Sequence, residues 1–180
     1  MFDRSAFWSP PPDWRHARLD GVDIRITASA PPAVWRISGR GVPAALAGVG
    51  VERAIGPREA CDAPTYALRI APDSVLLIGD AATTGIDDAP DTVCSALADG
   101  IICVDIVGPA VSVLLSLGSE HRFDDPPGHP LESARMLFAG LPVLVMRRGA
   151  GWRLHIERPW APALWRWLAG HVEHCGEGAV

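Results

Sequence analysis

Four groupings in this chain carry residue types that do chemistry. The first is Gly39-Arg-Gly41-Val-Pro-Ala44, a G-x-G-x-x-A pattern that follows strand-like residues. In a dinucleotide-binding fold such glycines admit a pyrophosphate to a helix N-terminus. Here Pro43 sits inside the pattern and no parallel strand–helix series follows, so a plain strand-to-helix turn is the stronger reading. The second is His171, His174 and Cys175. Histidines three apart lie near each other on a helix. Zinc needs three or four ligands, and the other donors (His121, His129, Cys61) are distant and irregularly spaced. The third is the carboxylate pairs Asp87-Asp88 and Asp124-Asp125, both in Gly/Pro-rich loops without a calcium-loop spacing. The fourth is Ser119-Glu120-His121, which offers hydroxyl, carboxylate and imidazole. A triad is assembled by spatial geometry rather than by sequence neighbours, and no G-x-S-x-G elbow is present. The residues therefore predict no catalytic, cofactor-binding or metal-binding group in this chain.

The bulk properties narrow the classes further. With 180 residues and 48% hydrophobic content, the chain can build a core for one domain or two small packed halves. A net charge of −5 and the lack of a basic run argue against nucleic-acid binding. Cys61, Cys94, Cys103 and Cys175 form no CxxC and no disulfide framework, which suits a reducing cytosol. The first twelve residues lack the charged start and apolar stretch of a signal peptide. The apolar run 111–117 is interrupted by Ser112 and Ser116 and is too short to span a bilayer. A cytoplasmic protein without a membrane partner is expected.

The elements that would position any site read as follows. Residues 33–38 alternate as a strand, 39–41 turn the chain, and Pro43 opens a short helix. Residues 66–70 and 75–78 read as a hairpin around Pro72-Asp73, and 90–98 as a helix behind Pro90. Residues 101–107 read as a strand and 110–117 as a helix. Residues 134–139, 143–147 and 152–157 read as strands, and Pro159 opens a last helix. The order β-α-β-β-α thus occurs twice. Ile37, Gly39, Val42 and Leu46 match Ile106, Gly108, Val111 and Leu115 at a constant offset of 69, and Pro90 precedes Pro159 by the same offset. The expectation is an α+β chain of mostly antiparallel sheets with flanking helices, in two pseudo-repeated halves. The boundaries are 1–18 for a Pro/Trp-rich arm, 19–100 for the first half and 101–180 for the second.

Three consecutive prolines, Pro10 to Pro12, lie between Trp8 and Trp14 and fix an extended path. The two indoles either fold back on their own domain or latch onto another chain. In the last helix, Trp160, Leu164, Trp167 and Leu168 share a face and are expected to pack on the sheet. Trp165 lies at the edge of that face. Trp8, Trp14 and Trp165 are the candidate partner contacts, because tryptophan often dominates interface energy.

Several segments look familiar. Residues 106–118, Ile-Val-Gly-Pro-Ala-Val-Ser-Val-Leu-Leu-Ser-Leu-Gly, resemble the strand–Gly-Pro–helix–Gly segment of the gamma subunit family of heterotetrameric sarcosine oxidase. Ala71-Pro-Asp-Ser-Val-Leu-Leu-Ile78 resembles that family's Gly-Pro-Asp-Glu-Trp-Leu-Leu signature, with Val75 in place of Trp. Residues 140–168 resemble its closing hairpin and Leu-Trp-x-Trp-Leu helix. The likeness covers roughly residues 20–172. It implies the folate-binding aminomethyltransferase-like (T-protein) fold and a noncatalytic accessory subunit. The implied complex has a large alpha, a flavin-bearing beta and a zinc-bearing delta subunit. FAD, FMN, NAD, tetrahydrofolate and zinc would all belong to those partner chains, which together demethylate sarcosine or a related N-methyl amine. A folate- or one-carbon-carrier-binding protein is the alternative, with Asp99 its anchor in the stretch 96–100. A stand-alone homodimeric binding module is a third reading.

Overall fold

The computed structural model describes residues 10–56, 59–79, 89–121, 123 and 132–175. Trp8, Asp87, Asp88, Asp124, Asp125 and His129 lie outside the described residues. Ten strands and three helices are formed among those described, in the order β1 (Arg18–Asp20), β2 (Arg25–Ser29), β3 (Val34–Gly39), α1 (Val42–Gly48), β4 (Tyr66–Ala71), β5 (Ser74–Ile78), β6 (Thr92–Ala96), β7 (Ile101–Val107), α2 (Val111–Gly118), β8 (Ser133–Phe138), β9 (Leu141–Arg148), β10 (Gly151–Glu157) and α3 (Ala161–His171). The first sheet runs β1-β2-β7-β10-β9-β8 and the second β4-β5-β3-β6, with every named strand pair antiparallel. The α+β class expected from the hairpins is the class observed.

Side-chain alternation divides each sheet into two faces. On the six-stranded sheet, Ile26, Ile102, Val104, Ile106, Val145, Leu154 and Ile156 face α2 and α3 and make the largest core with Leu114, Leu115, Leu164 and Leu168. On the four-stranded sheet, Ile37, Val75, Leu77 and Ala67 face Val42, Ala45 and Leu46 of α1. The opposite faces pack on each other. Val34, Tyr66, Leu68, Leu76 and Ile78 of one sheet meet Ile101, Cys103 and Met146 of the other. The layers are helix, sheet, sheet, helix.

Within residues 90–98 the segment Thr92–Ala96 forms β6, and the helix expected behind Pro90 is absent. Thr92 and Val93 are β-branched, and β6 pairs with β3 from Thr92↔Gly39 to Ala96↔Trp35. Asp91 and Ala98, at φ 58° and 46°, bracket the strand with backbone that no helix contains. The tertiary ladder overrides the local helix signal.

The offset of 69 holds for strand, turn and helix. Gly39 and Gly108 have φ of 120° and 124°, and a methyl on either would run into the backbone oxygen of Asp91 or Asp23 respectively. Those oxygens accept from Gly41 N–H (3.3 Å) and Ala110 N–H (3.1 Å), one residue before each helix. Asp91 leads into β6 and Asp23 into β2. The strands that precede β3 and β7 are therefore exchanged: β2, just before β3, pairs with β7, and β6, just before β7, pairs with β3.

Candidate functional site between the two sheets

Where the sheets face each other, β10 presents Arg153, His155 and Glu157 inward while Trp152, Leu154 and Ile156 enter the helix-covered core. Register places Cys103, His155, Leu144 and Arg135 in one row across β7, β10, β9 and β8. The neighbouring row is Asp105, Arg153, Met146 and Ser133. On the other sheet Arg36, Leu76 and Leu68 share a row.

A polar relay crosses this seam. Arg153 grips Asp105 with two bonds, Nε to Oδ1 and Nη2 to Oδ2, both 2.6 Å. Its Nη1 donates to the Tyr66 hydroxyl at 3.3 Å. His155 is 2% exposed. Its Nδ1–H donates to the Leu144 carbonyl (3.1 Å), which leaves Nε2 to accept from the Tyr66 hydroxyl (2.8 Å). Burial pulls the His155 pKa down to about 4, the Leu144 carbonyl opposing and the Arg153 charge assisting, so the ring is neutral at pH 7. Burial pushes the Tyr66 phenol well above its usual range, with the Cys103 thiol adding to the effect. Burial likewise raises Cys103 to about 11, far from a reactive thiolate. For Arg153 burial works against the charge, but the bonds to Asp105 and Tyr66 outweigh it and hold the guanidinium protonated. Every member is hydrogen-bonded, with His155 neutral and the Tyr66 phenol protonated. The relay joins the sheets and offers no poised base or nucleophile.

Beside the relay the sheets part to leave a cleft of about 510 Å³. Ile70 and Leu76 line it from one sheet, Ile101 and Leu144 from the other, with His155 at its base. Arg36, Arg135 and Glu157 are exposed and also line it.

The residues singled out from sequence are not brought together. Gly39 and Gly41 pack against the backbone of Asp91 and Pro90, so the space a pyrophosphate would need holds this chain's own strand lead-in. α1 has only seven residues. His171 stacks on Trp167 (4.1 Å between centroids) and donates from Nδ1 to the Trp167 carbonyl at 2.7 Å, while the Cys175 thiol donates to the His171 carbonyl at 3.2 Å. Among the described residues no group of three or more His, Cys, Asp or Glu could hold a metal ion. Ser119 caps the backbone N–H of His121 at 3.2 Å and donates to the Met136 sulfur at 3.6 Å. Asp99 pairs with Arg158 (2.8 Å) and lines a separate groove with Pro11, Pro12, Pro31 and Pro32. None of these residues is among those that line the inter-sheet cleft.

Trp14 is 6% exposed and meets Trp165 edge-on, their centroids 6.0 Å apart. Trp165 is half-buried under it. Trp167 is half-buried against Phe138 (5.1 Å), as its helix face predicted, but Trp160 is 47% exposed and does not pack on the sheet. Trp160 is the N-cap of α3, ahead of the face that Ala161, Leu164 and Leu168 define. Sequence reading missed the relay altogether. Its one local signal was a charged or polar residue at every second position of 153–157, between the buried Leu154 and Ile156.

No protein-family model and no curated protein matches this sequence. Solved structures do match. A chain of the heterotetrameric sarcosine oxidase from Corynebacterium sp. U-96, solved with pyrrole 2-carboxylate, superposes with a TM-score of 0.73 at 18% identity, covering 91% of this chain and 91% of that one. Aminomethyltransferase T of the glycine cleavage system from Bartonella henselae superposes with a TM-score of 0.55 at 13% identity, covering 83% of this chain but 46% of that one. Over 91% of its length the chain has the fold of a sarcosine oxidase chain, and that fold resembles the aminomethyltransferase type.

Proposed function

We propose that this chain is the small, noncatalytic accessory subunit of a multi-chain flavin-dependent complex that oxidatively demethylates sarcosine or a related N-methyl amine. The observation that carries this reading is reciprocal coverage. The match to a chain of a heterotetrameric sarcosine oxidase extends over 91% of this chain and 91% of that one. The relay at the seam supports the noncatalytic part, because its groups are all saturated. The partners would be a large alpha subunit with flavin-bearing beta and zinc-bearing delta subunits. The N-terminal arm with Trp8, together with the exposed Trp160 and the outer edge of Trp165, supplies the apolar contacts. Trp14 is buried and meets Trp165 edge-on within the chain.

The test is affinity purification of the tagged chain from its native host, with sarcosine-dependent hydrogen peroxide formation measured on the eluate and on a deletion strain. Co-elution with flavin-containing chains and loss of assembled activity on deletion are expected. Elution alone, with N-methyl amine oxidation unchanged in the deletion strain, would overturn the proposal.

A second reading, a folate- or one-carbon-carrier-binding protein, draws on the aminomethyltransferase likeness. The engagement of Asp99 with Arg158 weighs against it. Calorimetric titration with tetrahydrofolate separates the two, since only the second predicts saturable heat.

A further inference from the structure

Arg36 and Arg135 stand on inward faces of opposite sheets, where alternation calls for apolar residues. The positions flanking Arg36 along this face and ladder, Val34 and Leu76, are buried. An unpaired guanidinium facing another sheet opposes close packing, because its desolvation would have no compensating partner. Neither arginine has a carboxylate within ion-pair distance among the described residues, although Glu157 lines the same cleft. Apolar residues at 36 and 135 would let the sheets close and would extend the core. A local departure from the packing rule without a structural return is the usual mark of a binding site.

The cleft's size falls within the ~300–1,000 Å³ of small-molecule pockets, and its make-up is theirs as well: apolar walls with a few convergent polar groups. β3, β5, β7, β9 and β10, which supply most of the walls, are paired on both sides. β4 and β8, which bring Ile70 and Arg135, are sheet edges, and recognition by the remaining walls rests on side chains. We propose that the inter-sheet cleft binds a flat, apolar-bodied carboxylic acid. The body lies between Ile70 and Leu76 on one wall and Ile101 and Leu144 on the other. Arg36 and Arg135 take the anionic group or groups, and Glu157 accepts from a ligand N–H. This inference does not rest on membership of a complex.

The experiment uses the full chain and the fluorescent probe 8-anilinonaphthalene-1-sulfonate, with 2-naphthoate and the uncharged 2-naphthylmethanol as competitors. Saturable probe binding, displaced by naphthoate at concentrations where the alcohol has no effect, is expected. Arg36→Gln and Arg135→Gln are each expected to weaken naphthoate roughly tenfold. Arg40→Gln and Arg166→Gln, exposed arginines off the cleft, are expected to leave it unchanged. All four positions are exposed, and far-UV circular dichroism confirms that each variant is folded. Equal competition by acid and alcohol, equal affinity in all four variants, or no saturable binding would each overturn the proposal.

Discussion

The Tyr66 hydroxyl lies 2.8 Å from His155 Nε2, joining residues 89 apart in sequence across the two sheets. Its proton is the one His155 Nε2 accepts, and its lone pair receives Arg153 Nη1. Removing it with Tyr66→Phe leaves a buried imidazole nitrogen unsatisfied and takes an acceptor from Arg153. A loss of about 1–3 kcal/mol is expected, read as a lower denaturant midpoint at unchanged slope. Arg40→Ala, exposed and off the seam, serves as the control. Equal midpoints for the two variants would show that water replaces the hydroxyl.

His155 sets a pH dependence whose sign follows from linkage. Its folded pKa of about 4 lies below the unfolded value of about 6.5, so between these values the unfolded chain binds the extra proton. The stability due to the neutral ring is fully present above pH 6.5 and is lost as pH falls toward 4. The loss is on the order of 3 kcal/mol for a shift of this size. Denaturation midpoints should hold level from pH 7.5 to about 6.5 and fall from there to pH 4.5 in the native chain. His155→Gln keeps an amide donor and acceptor in place of the ring and should flatten that interval. Parallel profiles would place the titrating group elsewhere.

The tryptophans divide by burial. Trp14→Ala removes a 6%-exposed indole from the largest core and from its edge-on contact with Trp165, and about 3–5 kcal/mol of stability should go with it. Trp160→Ala, at a 47%-exposed position, should change stability by no more than about 0.5 kcal/mol. Under the accessory-subunit proposal, the same change weakens recovery of partner chains in co-purification. A stable, fully assembling Trp160→Ala variant would remove this residue from the interface.

Much of the fold was legible because its signals are local. Pro43 does sit in the first turn of α1, whereas Pro159 stops short of α3, whose first turn holds Pro162; the segments 66–70 and 75–78 do pair, and the match of Ile37–Leu46 to Ile106–Leu115 does mark two equivalent turns. What stayed hidden is non-local. β6 carries a Pro-led, Ala-containing stretch that suits a helix, and only the ladder with β3 makes it a strand. The exchange of β2 and β6 leaves no trace in either segment alone, since each pairs with a strand beyond its neighbour. The relay is harder still. Tyr66, Asp105, Arg153 and His155 come from three strands in two sheets, and no spacing announces them. Arg36 and Arg135 look like ordinary surface arginines until register sets them on facing sheets.

The exchanged strands make a last prediction. Gly39 and Gly108 each combine a φ near 120° with close approach of a backbone oxygen, from Asp91 before β6 and Asp23 before β2. Alanine at either should cost at least about 2 kcal/mol, from backbone strain and the forced retreat of the strand lead-in. Gly149, at φ 53° with nothing near its missing Cβ, isolates the backbone part, and Gly149→Ala should cost only about 1 kcal/mol. The damage should also be addressed. Gly39→Ala should raise amide exchange in β6, which lies beyond residue 90, and Gly108→Ala should raise it in β2, which lies before residue 30. A dinucleotide role for Gly39 predicts instead lost NAD binding with β6 protection intact. Hydrogen exchange on the two variants therefore separates a strand-seating glycine from a phosphate-seating one at the same position.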